Sequence, residues 1–218
     1  MKALILSSKI AAIFIAMALT LSCSDDNGDS PGSSSSSDTG GGGDTFTDSR
    51  DNQTYKQVKI GEQIWMAENL NYNASGSVCH GNAPAKCDIY GRLYDWETAT
   101  KVCPEGWSLP SNDEWTTLTN FVGTEPGKKL KATNGWINEG NGTDVFGFAA
   151  LPGGGGTGFD GNFPENEVNN GFWWSATEYD NNNNFGSAYF LIMEYKHPMA
   201  FLFYDSKKHL FSVRCLKN

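Results

Sequence analysis

The chain has 218 residues, a formal net charge of −9 and 39% hydrophobic residues, and its 16 lysines and arginines form no run or stripe. That balance excludes a surface built to neutralise nucleic-acid phosphates. It leaves room for one domain with a sizeable core once the non-globular N-terminal part is set aside.

Lys2 and Lys9 flank an apolar run over residues 10–21, followed by Ser22-Cys23. The run is too short for a comfortable membrane span and has the layout of a secretory signal. The stretch Leu19-Thr-Leu-Ser-Cys23 resembles a bacterial lipobox, although Leu21 stands where a small residue is usual. The resemblance implies a signal over residues 1–22, acylation of Cys23 and an outer-membrane lipoprotein, its domain at the cell surface or on the periplasmic side. Loss of Lys2 and Lys9 with the signal makes the mature chain still more acidic. Residues 23–47 hold mainly Ser, Gly, Asp and Asn and read as a tether, with the domain over 48–218.

The domain opens with two β-rich runs, 51–60 and 63–66, around Gly61-Glu62, which predict a hairpin. Residues 73–88 carry Gly, Pro and Asn and are expected to form a loop. Leu93, Trp96, Ala99 and Val102 keep a spacing of three, so a helix is predicted over 95–102. The stretch Cys103-Pro-Glu-Gly-Trp-Ser-Leu-Pro-Ser-Asn-Asp-Glu-Trp115 then starts a second helix: Ser111 is a cap, and Glu114 three residues on can reach back to it. Trp115, Leu118, Phe121 and Val122 supply its apolar face. Beyond it, glycine-rich turns separate aromatic and β-branched runs. Residues 146–152 and 172–177 are expected as core strands or strand ends, and 188–194, 200–204 and 210–216 as three antiparallel strands. Four cysteines remain after Cys23, and export makes disulfides the default. Of the three pairings they permit, Cys79 with Cys87 and Cys103 with Cys215 is favoured: one pins a local loop and the other ties the helix region to the final strand.

Seven stretches carry a family resemblance: residues 48–56, 64–72, 91–96, 103–115, 147–154, 173–178 and 212–215. Together they resemble the Fibrobacter succinogenes major paralogous domain, a family found on exported and lipidated bacterial proteins. More distantly, Leu109-Pro-Ser-Asn-Asp-Glu-Trp115 and Val213-Arg-Cys215 are similar to the helix start and terminal strand of the formylglycine-generating enzyme family. That second resemblance implies an α+β, C-type-lectin-like fold in which two helices pack on a small twisted antiparallel sheet beneath long loops. Its copper-holding redox cysteines have no counterpart here.

Candidate sites follow from residue types. Trp173 and Trp174 are adjacent, so on a strand they face opposite ways, and one is expected in the core while the other stacks on a sugar or peptide. Glu178, Tyr179 and Asn182 lie beside them as polar and aromatic ligand groups. Asn138-Glu-Gly-Asn-Gly-Thr-Asp144 crowds oxygen donors between glycines, which makes Asn141 and Asp144 the candidates for a calcium ion, the one cofactor considered. Cys79-His80 with Cys87 lacks a fourth zinc ligand. Asp144 with Glu178 would be the carboxylate pair of a hydrolase. The expected function is a surface-tethered binding module for carbohydrate or protein, with no catalytic residue assigned; a hydrolase or a structural envelope protein are the alternatives.

Overall fold

The computed structural model describes residues 44–157, 169–180 and 186–218. Cys23 and Asn182 lie outside them. Two sheets organise the domain. The first is five-stranded, in the order β1 (Thr45–Thr47), β2 (Thr54–Ile60), β3 (Gln63–Met66), β11 (Leu216–Lys217) and β5 (Trp107–Ser108). The second is six-stranded, in the order β4 (Leu93–Tyr94), β10 (His209–Ser212), β7 (Asn170–Tyr179), β8 (Ser187–Glu194) and β9 (Ala200–Ser206), with β6 (Gly156–Thr157) paired onto β10. Short helices connect them: α1 (Pro84–Tyr90), α2 (Trp96–Val102), α3 (Asn112–Val122) and α4 (Pro126–Leu130).

This sheet-rich architecture overturns the expected α+β, C-type-lectin-like arrangement of two helices on one small sheet. The final run is not one strand. It divides into β10 and β11, which belong to different sheets, and β10 lies parallel to β7 rather than antiparallel to β9. Helix α1 arises inside the predicted loop because Pro84 sits in its first turn, where a missing N–H is harmless. Residues 146–152 form no strand; Ala150 makes an isolated bridge to Lys131.

Other local expectations hold. In the β2–β3 hairpin Ile60 pairs with Gln63, and Gly61 takes φ +62 in the turn. A Cβ there would meet the Phe121 ring at 2.9 Å, so glycine is required both for the turn and for the ring. Phe46 of β1 stacks on Trp107 at 4.4 Å, which brings ordered pairing into residues assigned to the tether. Asp95 caps α2 by accepting from the Thr98 amide at 2.8 Å. At α3 the Ser111 hydroxyl accepts from the Glu114 amide, and Glu114 accepts from the Ser111 amide at 2.7 Å, a capping box that contributes about 1 kcal/mol. Trp115, Leu118 and Val122 are buried, but Phe121 is 57% exposed. At 100° per residue it falls on the helix flank, where it meets Phe146 edge-on.

Residues 213–215 cross between the sheets. The Leu70 amide donates to Val213 O at 2.9 Å and the Met66 amide to Cys215 O at 3.0 Å, so the crossing is held against the chain leaving β3. The disulfide Cys103–Cys215 fastens it to the end of α2, and Cys79–Cys87 ties α1 to the turn before it. Both favoured pairings are formed.

Candidate functional site

A charged residue in an apolar crossing must find partners, and Arg214 finds them in one side-chain amide and one backbone carbonyl. Its Nε and Nη2 donate to Asn69 Oδ1 at 3.2 and 2.7 Å, and its Nη1 donates to Phe148 O. Asn69 Oδ1 also accepts from Trp173 Nε1 at 2.8 Å, while its Nδ2 donates to Tyr90 O at 2.8 Å and Ser212 Oγ at 3.3 Å. The guanidinium lies over the Phe148 ring, 4.4 Å from its centroid. Burial pushes the Arg214 pKa down to about 9, against the pull of the Asp144 and Glu68 carboxylates. It therefore stays charged at neutral pH, although its hydrogen bonds among the described residues go to neutral acceptors.

This buried cluster floors a cleft of about 440 Å³. Its walls come from the β2 and β3 region (Tyr55, Glu68, Asn71), from α1 (Asp88, Ile89) and from the segment after α4 (Asn134, Asp144, Ala149). Asp144 is half-buried and accepts from the Ala149 amide at 2.8 Å; burial raises its carboxyl pKa more than that bond and Arg214 lower it. Tyr55 Oη accepts from the Asn71 amide at 3.0 Å, and burial pushes the phenol up to about 12. Asn71 Oδ1 is buried without a hydrogen-bond partner among the described residues. Asp144 and Ala149 take φ 46 and φ 51, and such backbone strain persists where surrounding structure enforces it.

The predicted ligand residues are distributed differently. Trp173 and Trp174 do face opposite ways, but both are fully buried. Each joins a different core cluster, because β7 is covered on both faces; neither can stack on a ligand. Glu178 is exposed and pairs with Lys207 at 2.9 Å. Tyr179 stacks on Tyr204 with centroids 3.5 Å apart and rings 6° from parallel, and Tyr189 stands edge-on to both at 5.5 and 6.0 Å. Tyr204 is 49% exposed. Asn182 lies outside the described residues. Of the calcium candidates, Asn141 Oδ1 accepts from the Trp136 amide at 3.0 Å and Asp144 accepts from the Ala149 amide. No group of three His, Cys, Asp or Glu is placed to hold a metal among the described residues, and Cys79 and Cys87 are bonded to each other. Asp144 lines the cleft, whereas Glu178 pairs with Lys207. No helix of the described residues is long and apolar enough to cross a membrane.

The family model described as the Fibrobacter succinogenes major domain matches residues 58–217. The chain belongs to that family. No curated protein matches it, and no solved structure does; the relationship to the formylglycine-generating enzymes is not shown. In this Fibrobacter succinogenes major domain six of the seven stretches that carry the resemblance converge on one place. Tyr55, Asn69, Gly91, Phe148, Trp173 and Arg214 come from different stretches and meet at the cleft or directly beneath it. A side chain at Gly91 would meet Leu70 O at 2.8 Å, so glycine lets α1 close against the floor. Sequence reasoning missed Arg214 and Asn69, although a charged residue inside Phe211-Ser-Val-Arg-Cys-Leu216 was a usable signal. It also missed Tyr189 and Tyr204, whose exposure depends on strand register.

Proposed function

We propose that the chain is an outer-membrane lipoprotein tethered through acylated Cys23, and that its domain is a binding module for carbohydrate or protein. The observation that carries this reading is the tyrosine cluster at the end of β7, β8 and β9. Three tyrosine rings gather there, and their apolar faces and hydroxyl edges offer large contact area with few rotatable bonds. Tyr179 belongs to the expected ligand face; the buried tryptophans leave it, with Tyr189 and Tyr204, as the aromatic surface beside Glu178. The tether fits the same reading, since a module on a flexible linker can reach a partner beyond the membrane surface.

Glycan arrays and pull-down on cellulose and on envelope proteins, using soluble residues 44–218, test it. Binding is expected, and Tyr179→Ala with Tyr204→Ala is expected to weaken it about tenfold or more, each 1.4 kcal/mol of lost contact being one factor of ten. Folded protein that binds nothing, or binding indifferent to both substitutions, contradicts the reading. The anchor is read in the same preparation: full-length chain partitions into detergent and Cys23→Ser does not.

A further inference from the structure

We infer that the cleft above Arg214 and Asn69 is a second binding site, separate from the tyrosine cluster, and that it takes a neutral polyhydroxylated ligand of monosaccharide to disaccharide size. The volume of about 440 Å³ lies within the range of small-molecule sites. Charge selects the class of ligand. Three carboxylates in the lining, Asp144, Glu68 and Asp88, stand against two cations, Lys56 and Arg214, so a simple anion meets a net acidic wall rather than a basic cradle. A cation meets the protonated guanidinium at the floor. A metal ion lacks a ligand set among the described residues. Hydroxyl groups, which both donate and accept, match what remains.

The polar atoms are suited to such a ligand. Asn71 lines the cleft; its Oδ1 is closed to solvent and unmatched among the described residues, an unfavourable state that a turn of the carboxamide toward a ligand hydroxyl relieves. Asn134 is exposed in the wall and offers both an acceptor and donors. The half-buried Asp144 carboxylate is held by the Ala149 and Phe148 amides and retains lone pairs for a hydroxyl donor. A peptide is disfavoured because the large aliphatic groups in the lining are Ile89 and Leu151, the former 55% exposed, and neither makes the deep apolar pocket an anchoring side chain needs.

The test is an amide-resolved NMR titration of the soluble domain. The neutral probes are glucose, galactose, xylose, N-acetylglucosamine and cellobiose, each to about 50 mM, well above the millimolar dissociation constants of weak binders. Sodium acetate, inorganic phosphate, calcium chloride and triglycine are the contrasting arms. At least one neutral sugar is expected to shift the Asn71, Asn134 and Ala149 amides saturably. Asn71→Ala should weaken that binding about tenfold, the loss expected for one buried hydrogen bond. Asn134→Ala, at an exposed position where folding is not at stake, should weaken it as well. The Tyr179→Ala, Tyr204→Ala double variant should leave it unchanged, which separates failure of this site from failure of the tyrosine surface. The inference is overturned if no sugar shifts these amides, if both asparagine variants bind as before, or if acetate, phosphate, calcium or triglycine saturates the cleft instead.

Discussion

Asn69→Ala is expected to destabilise the domain by about 3–5 kcal/mol, the range for leaving a buried charge without its partner. One amide oxygen accepts three hydrogen bonds, two from Arg214 and one from Trp173, and alanine removes all three while leaving the guanidinium buried. For a domain of this size the thermal midpoint should fall on the order of 10 °C. The double variant Asn69→Leu with Arg214→Met discriminates between lost partners and lost packing. Removing the charge together with its acceptor should cost clearly less than the sum of the single variants, since neither partner is then left unmatched. Additive losses would mean that the two residues do not act as a unit.

The disulfides should differ in the same assay. Cys103–Cys215 closes a separation of 112 residues and Cys79–Cys87 one of 8. On the chain-entropy account their removal as paired alanine variants loses about 4.7 and about 2.5 kcal/mol respectively. Local packing acts in the same direction, because Cys215 is fully buried in the cluster with Tyr94 and Trp174. Denaturant unfolding of the two paired variants measures this, and an equal or reversed order would contradict it. Loss of Cys79–Cys87 should also loosen the α1 wall of the cleft, where Cys87 stands.

Short-range instructions were legible in the sequence and long-range ones were not. Ser111 with Glu114 and Gly61 in its turn each act within four residues, and each is found as read. The cysteine pairing was also legible. The sheet order was not: nothing local states that residues after Ser212 leave one sheet for the other, or that β10 lies beside β7. That one change in topology covers β7 on both faces and carries Trp173 and Trp174 into the core together. It also accounts for the candidate site. Alternation along a strand correctly says that neighbouring side chains oppose each other, but which faces are wet depends on the layers around the strand. The tyrosines missed by sequence reasoning are the counterpart, since Tyr189 and Tyr204 face each other across the β8–β9 register at an end of the sheet that the core does not reach.

The central claim is that the chain's tryptophans form its interior and leave ligand contact to the tyrosine cluster and the cleft. All seven tryptophans are at most 9% exposed. Iodide quenching of tryptophan emission from the native soluble domain measures this directly. Blue-shifted emission with almost no quenchable fraction is the expected result; a quenchable, red-shifted component removed by Trp173→Phe or Trp174→Phe would put one of that pair at the surface and contradict it.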